Sequence, residues 1–179
     1  MPFIAFTFNT KSSSIGLDRF ILKSIKHLTE SGINVVGHLG FTPQYINTIG
    51  GYYIQGKSYE NTLKLAEYAK KLEENGAFSV VLEMVPEESA KYISENLTIP
   101  TIGIGAGRYC NGQVLVIDDI LGKFYGNIPK FAKQYAKIKE IIKDAISQYG
   151  NDVKKGIFPD EEHVFKLAKE EREKFGSTL

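Results

Sequence analysis

The sequence has a single cysteine, no tryptophan and no long apolar run. Cys110 alone can form neither an internal disulfide nor a cysteine-based zinc site, and one free thiol is typical of a reducing compartment. No stretch approaches the roughly 18 apolar residues that a membrane helix needs. We therefore expect a cytoplasmic protein that does not span a membrane.

A large excess of one charge is also missing. The 22 basic and 21 acidic residues leave a formal net charge of +1. Nineteen of the basic residues are lysines interleaved with acidic residues along predicted helices, which is typical of a solvated surface. We therefore expect no nucleic-acid partner.

The length permits one domain with a proper core but excludes a complete (β/α)₈ barrel. The chain has 179 residues, whereas such a barrel typically takes about 250. Hydrophobic residues make up 42% of the chain and charged residues 24%, which is ordinary for a globular protein.

Hydrophobic periodicity predicts alternating helices and short strands. The predicted helices are 18–31, 58–75 with Ser58 as N-cap, 86–97, 128–149 ending before Gly150, and an exposed terminal helix at 161–175; the predicted strands are 33–36, 78–82, 101–104 and 114–117. Residues 37–57 lack a helical period and read as a long loop, and such loops are usually functional. The alternation predicts an α/β fold with a parallel sheet, although the link 106–113 is too short for a helical crossover.

Glu83 is the first candidate site residue because it ends the most apolar predicted strand. Ligands of parallel α/β folds gather at the carboxyl ends of the strands. A carboxylate emerging there from an apolar strand suits a general base. The alternative is that Glu83 caps or pairs with the helix that begins near Pro86.

His38 and the pair Asp118–Asp119 also follow predicted strands. His38 lies between glycines, so its ring is a candidate for ligand contact, proton transfer or metal binding, or for a purely structural hydrogen bond. The two aspartates offer oxygen ligands for a divalent cation. On a strand they would point to opposite faces, which favours turn formation or capping instead.

The glycine cluster Gly103, Gly105 and Gly107 invites a nucleotide-binding interpretation. Arg108 stands where the dinucleotide fingerprint requires glycine or alanine, and no long helix is predicted to follow, so that fingerprint fails. A backbone cradle for an anion and close packing at a tight turn stay open. His163 has no partner at metal-ligand spacing and receives no role.

Read together, these segments resemble the ketopantoate hydroxymethyltransferase family over residues 18–165. The matching blocks are Gly37-His-Leu-Gly-Phe-Thr-Pro-Gln44, Gly50-Gly-Tyr-Tyr-Ile-Gln-Gly56, Val80-Val-Leu-Glu-Met-Val-Pro86, Ile99-Pro-Thr-Ile-Gly-Ile-Gly-Ala-Gly107, Gly112-Gln-Val-Leu-Val116, Ile128-Pro-Lys-Phe131, Gly156-Ile-Phe-Pro159 and Glu161-Glu-His163. They occur in series and with family-like spacing, which is far more specific than any one glycine pattern.

The resemblance implies a TIM-type barrel of which this chain holds approximately strands five to eight with their helices. Residues 1–17 are not placed by it, and 166–179 form a charged C-terminal helix and tail. The resemblance also implies hydroxymethyl transfer from 5,10-methylenetetrahydrofolate to the α-keto acid 2-oxoisovalerate, which the family binds to Mg²⁺. Glu83 falls on the family's general base, and His38 on a block near the substrate.

The family's metal-binding carboxylates lie on its first four strands, in blocks that this chain does not carry. The resemblance therefore implies no metal ligand in this chain, and the first acidic residue is Asp18. A half barrel leaves unpaired strand edges and an uncovered inner layer. We expect a homo-oligomer or a complementing half-barrel, and impaired activity of the chain alone. The alternatives are a non-catalytic assembly module and a different α-keto-acid barrel.

Overall fold

A computed structural model describes residues 3–7, 15–41, 53–123, 126 and 128–176, with side chains from residue 20 onward. In chain order its elements are β1 (Phe3–Thr7), α1 (Ile15–Glu30), β2 (Asn34–Gly40), α2 (Tyr59–Glu74), β3 (Ser79–Glu83), α3 (Glu87–Glu95), β4 (Thr101–Ile104), β5 (Gly112–Gln113), α4 (Ile117–Leu121), α5 (Ile138–Lys154), a 3₁₀ helix (Glu161–His163) and α6 (Lys169–Glu173). Within this part of the chain, no helix combines the length and apolarity needed to cross a bilayer.

The described strands form one parallel sheet in the order β1-β2-β3-β4-β5. Each strand thus pairs with the next one along the chain, and the carboxyl ends share one edge. The parallel α/β fold predicted from the alternation is confirmed. β1 lies in the segment 1–17, which the family resemblance did not place, and Thr7 pairs in register with His38.

The helix-covered face of the sheet carries Val35, Leu39, Val80 and Leu82, all fully buried. They belong to one apolar cluster that also takes in residues of α1, α2 and α3. Burying such a side chain stabilises the fold by roughly 1.5–3 kcal/mol relative to leaving it exposed. The core therefore lies between the sheet and these three helices.

The opposite side, which we call the site face, carries the alternate residues His38, Val81, Glu83, Ile102 and Ile104. They share this face because His38 pairs with Val81, Val81 with Ile102, and Glu83 with Ile104. All five side chains are only partly buried. The sheet is thus packed by the described helices on one side and is more open on the other.

The second strand is longer than predicted and contains a glycine that faces α2. A Cβ at Gly37 would lie 2.5 Å from Leu72 Cδ1, so a larger residue would require the Leu72 side chain to move. The expected strand at 33–36 runs to Gly40, and residues 37–40 belong to it rather than to a loop. The rest of the predicted loop falls partly on 42–52, outside the described residues.

The link between β4 and β5 contains no helix, as its length predicts. Asn111 closes it, because its side-chain Oδ1 accepts hydrogen bonds from Thr101 N at 2.9 Å and from Thr101 Oγ1 at 3.1 Å. The side chain of Asn111 thus accepts hydrogen bonds from the start of β4 that a longer β5 would otherwise accept through its backbone.

The predicted strand at 114–117 is wrong. The ladder ends at Gln113, and Val116 is the N-cap of helix α4, whose first turn contains Asp118 and Asp119. Acidic side chains stabilise a helix N-terminus, so this local preference overrides the β-branched run. Gly122, with φ +63°, ends the helix.

The predicted helix at 128–149 is also wrong in its first third. Residues 128–137 are not helical, and the backbone of Tyr135 donates to Ile120 O at 2.8 Å. The helix begins at Ile138 and continues through Gly150 to Lys154. A glycine inside an exposed helix costs about 1 kcal/mol, which is tolerated.

The predicted terminal helix at 161–175 is present only as the 3₁₀ turn and α6. Its predicted exposure is confirmed, since every described residue from Val153 to Gly176 is exposed. The helices predicted at 18–31, 58–75 and 86–97 correspond to α1, α2 and α3, and Ser58 is the N-cap, with its side chain accepting from Asn61 N.

Candidate active site

Glu83 is the last residue of β3, at the carboxyl edge of the sheet. Its backbone is fixed by neighbours on both sides, because Phe41 N donates to Glu83 O at 2.8 Å and Met84 N donates to Ile104 O at 2.9 Å. Its side chain is 14% exposed. The carboxylate therefore sits at a rigid position, partly screened from solvent, on the site face.

His38 lies two residues before the end of β2 and contacts this carboxylate. His38 Nε2 is 3.0 Å from Glu83 Oε2, and the two side chains are 15% and 14% exposed. Nε2 is buried and has no aligned hydrogen-bond partner among the described residues. The two atoms are thus within contact distance, although their geometry is not that of an aligned hydrogen bond.

The turn after Glu83 is strained. Met84 has φ +50°, a left-handed conformation that is uncommon for residues other than glycine. Its carbonyl accepts a hydrogen bond from Gln55 N at 3.0 Å, which helps to hold it there. Strained backbone of this kind is concentrated at functional sites.

Gly40 brings the end of β2 against β3. It has φ +95°, and a Cβ here would lie 2.1 Å from Glu83 O. Any other residue would push the two strand ends apart, so this glycine maintains the spacing between His38 and Glu83.

Comparison with known proteins gives a match to the family model for ketopantoate hydroxymethyltransferase over residues 6–161. The chain belongs to the ketopantoate hydroxymethyltransferase family. Two similar proteins, both named 3-methyl-2-oxobutanoate hydroxymethyltransferase, come from Pseudothermotoga lettingae and Clostridium botulinum strain Langeland. They are 54% and 51% identical over 147 residues, which is 82% of this chain and 56% and 54% of theirs.

A third relative of that name, from Thermotoga maritima, is 52% identical over 141 residues, 79% of this chain and 52% of its own length. The chain thus spans about half the length of the curated relatives it matches. The family membership inferred from the motifs is confirmed. That inference depended on the order and spacing of the motifs along the chain.

The Mg²⁺ implied by the family finds no complete donor set here. Among the described residues, no group of three or more His, Cys, Asp or Glu side chains lies together. The stretches 8–14 and 42–52 contain none of these residue types. Glu83 and His38 offer one carboxylate and one imidazole, whereas Mg²⁺ requires near-octahedral oxygen coordination. The described residues therefore do not fit a magnesium site on their own.

The structural alternative for Glu83 is not observed. Helix α3 has Pro86 as its N-cap without a side-chain capping bond, and the ionic contact of Glu83 is with His38. Asp118 and Asp119, by contrast, lie in the first turn of α4, where Asp118 pairs with Lys123 at 3.4 Å. They are not on a strand and do not join the candidate site.

The glycine cluster serves close packing. Added Cβ atoms would lie 2.6 Å from Phe131 Cδ1 at Gly105 and 2.5 Å from Glu87 Cβ at Gly107, and both glycines have positive φ. No helix follows them, as expected from the failed fingerprint. His163 lies in the exposed 3₁₀ turn, where its Nδ1 is 2.6 Å from Asp160 Oδ1.

Two surface cavities lie in the described part of the chain, and neither is lined by His38 or Glu83. The larger one, of about 340 Å³, lies beyond the ends of β4 and β5 and is lined partly by Phe131, Lys133 and Tyr135. These residues were not predicted as part of a site, because their periodicity indicated a helix at 128–149. No signal in the sequence marks them as lining a cavity.

Proposed function

We propose that this chain takes part in hydroxymethyl transfer from 5,10-methylenetetrahydrofolate to 2-oxoisovalerate, giving ketopantoate for pantothenate synthesis. The supporting observation is the 3.0 Å approach of His38 Nε2 to Glu83 Oε2 at the carboxyl edge of a parallel sheet. A carboxylate held there beside an imidazole suits proton abstraction next to a carbonyl.

In this proposal Glu83 is the general base. A carboxylate oxygen takes the proton from C3 of the keto acid, and the electrons of the broken C–H bond form the enolate. The enolate carbon then attacks the one-carbon unit of the folate, and water supplies the hydroxyl oxygen of the product. The methylene carbon loses its bonds to the two folate nitrogens as it gains bonds to the enolate carbon and to the water oxygen. One proton of the water and the proton held by Glu83 end on those nitrogens, so tetrahydrofolate leaves and the Glu83 carboxylate is restored.

We assign His38 to substrate binding, next to the base Glu83. Its buried Nε2 lacks an aligned partner among the described residues, and leaving such an atom without a partner costs about 1–3 kcal/mol. An oxygen of the bound keto acid would satisfy it. In this proposal His38 orients the substrate beside the Glu83 carboxylate.

We propose that the remaining machinery comes from the half of the barrel that this sequence does not span. Residues 18–165 supply the second half of a TIM-type barrel, approximately strands five to eight, and 166–179 form the charged tail. The partly open site face and the incomplete metal donor set support a complementing half-barrel, from another chain or within a homo-oligomer. The chain alone is then expected to have little or no activity.

The test uses the purified chain with 2-oxoisovalerate, methylenetetrahydrofolate and Mg²⁺, with and without the N-terminal half of the Pseudothermotoga lettingae relative. Ketopantoate should form only in the mixture, and should be lost with Glu83→Gln. Activity of the chain alone would overturn the half-barrel assignment. A mixture in which both halves associate but no product forms would overturn the catalytic one.

The second candidate is a non-catalytic assembly module that keeps the family's packing. The incomplete donor set among the described residues favours it. Calorimetric titration of the mixed halves with Mg²⁺ and 2-oxoisovalerate separates the two functions. Heat of binding that depends on His38 supports the enzyme, and a flat titration supports the module.

A further inference from the structure

The cavity of about 340 Å³ beyond β4 and β5 has no part in the chemistry assigned to Glu83. Its lining includes Gly105, Gln113, Phe131, Lys133 and Tyr135. A volume of this size falls within the range of small-molecule sites in proteins. Its wall includes Gly105, which directly follows Ile104, the register partner of Glu83.

The charge of the cavity favours an anion. Lys133 is exposed and, among the described residues, forms no ion pair with a carboxylate; its Nζ lies 5.0 Å from the centre of the Tyr135 ring. No acidic residue lines the cavity. Behind Gly107 lies the acidic side chain of Glu87, which forms an ion pair with Arg108 Nε at 3.2 Å.

The cavity also offers flat apolar surface and an amide. Phe131 packs against the backbone of Gly105, and Tyr135 is 69% exposed at the mouth. Gln113 Nε2 donates to Gly107 O at 2.8 Å, which orients the amide and leaves its oxygen to accept from a ligand. Aromatic rings of this kind stack on a planar ligand.

The walls of this cavity are held by the backbone. Tyr135 N donates to Ile120 O at 2.8 Å, Ala132 N to Pro129 O at 2.9 Å, and Val114 N to Gly103 O at 3.0 Å. A site that is already formed loses less entropy when its ligand binds.

We infer that this cavity binds an aromatic amide that carries carboxylates. The ring would stack on Phe131 and Tyr135, an N–H would donate to Gln113 Oε1, and a carboxylate would pair with Lys133. The aminobenzoyl-glutamate tail of a reduced folate has this chemistry. Assigning the cavity to the tail of the one-carbon donor rests on the proposed function, and it directs the one-carbon end toward the neighbouring strand end that bears Glu83.

The experiment measures binding to the full chain by isothermal titration calorimetry, without keto acid. The probes are p-aminobenzoyl-L-glutamate, 5-formyltetrahydrofolate and a pterin that has no tail. Lys133→Ala should weaken binding of the first two probes about tenfold, because a charge-assisted contact is lost. It should leave the pterin unchanged. Lys130→Ala removes an exposed lysine that does not line the cavity and should change nothing.

Tyr135→Ala should weaken the same two probes, and Tyr135→Phe should not, since the stacking ring is kept. The inference is overturned if the wild-type chain does not bind aminobenzoyl-glutamate, or if Lys133→Ala and Lys130→Ala behave alike. Tail binding by a chain that proves inactive with its complementing half would leave this site standing and remove the proposed reaction. If the complemented enzyme is active and Lys133→Ala binds the probes as well as the wild type does, the proposed reaction stands and the tail site is removed.

Discussion

The two faces of the sheet consist of alternate residues of the same strands, yet they are packed differently. Val80 is fully buried beneath the helices, whereas its neighbour Val81 on the site face is only partly buried. The helix-covered face is apolar and closed, and the site face mixes apolar residues with His38 and Glu83. Stability and chemistry are therefore divided between the two sides of one strand, and each can be altered with little effect on the other.

The largest effect of a substitution on the site face is expected for Glu83→Gln. The substitution keeps the shape of the side chain but removes the base, so ketopantoate formation by the complemented enzyme should fall by at least about a hundredfold. Unfolding in urea should change by less than about 1 kcal/mol. Glu95→Gln, at an exposed position of α3, is the matched control. Equal activity of the two variants would remove Glu83 from the mechanism.

Val80→Ala and Val81→Ala compare the faces with one residue type. Val80→Ala should destabilise the chain by about 2–3 kcal/mol, since it leaves a cavity under the helices, and Val81→Ala by about 1 kcal/mol or less. Urea unfolding of both variants measures this. Addition of the complementing half should raise the cost of Val81→Ala toward that of Val80→Ala; an unchanged cost would contradict a barrel closing over the site face.

The helix layer has an acid-sensitive anchor at Glu73. Burial raises the pKa of this carboxyl, but hydrogen bonds from Lys70, from Thr98 N and Oγ1, and from Ile99 N outweigh that effect and lower its pKa to about 2. Its stabilisation is therefore complete above the unfolded value of about 4.5 and is lost as the pH falls toward 2.

We expect Glu73→Gln to cost about 2 kcal/mol at pH 7 and much less at pH 2.5. Urea unfolding at the two pH values measures this, with Glu74→Gln, an exposed neighbour on the same helix, as the control. A cost that does not depend on pH would show that packing, rather than the charged hydrogen bonds, is responsible.

The smallest effect is expected at the N-cap of α2. Ser58 Oγ accepts from Asn61 N at 3.2 Å, so Ser58→Ala should cost about 1 kcal/mol, whereas Ser58→Gly should cost only a few tenths. Thermal unfolding of both variants tests this. Loss of activity in Ser58→Ala beyond the loss of folded protein would contradict the separation of helix layer and site face.

Sequence alone was sufficient where local signals and packing agree. Ser58 followed by an amphipathic stripe gave α2, and the apolar run before Glu83 gave β3. Prediction from sequence failed where the local structure depends on a contact with residues distant in sequence. Residues 128–137 have a helical period, but a turn at 129–132 and the hydrogen bonds from Tyr135 N and Ala136 N to Ile120 O keep them out of a helix. The run at 114–117 has strand propensity, but acidic residues after it start a helix.

Within the candidate site, Glu83 and His38 were identified from their positions after apolar strands and from the motifs. Their mutual contact was not, because it depends on the register of β2 and β3 and on Gly40 drawing the strand ends together. The cavity residues Phe131, Lys133 and Tyr135 were missed for a related reason, since only the fold brings that segment to the glycine turn.

The backbone conformation of Met84 lowers the stability of the fold. Holding a methionine in the left-handed region costs about 1 kcal/mol or more, and glycine would adopt the same φ of +50° freely. A sequence selected for stability alone would therefore have glycine or asparagine at position 84. Because Met84 lies one peptide bond from the proposed base, a substitution that relieves this strain would also alter the backbone that positions Glu83.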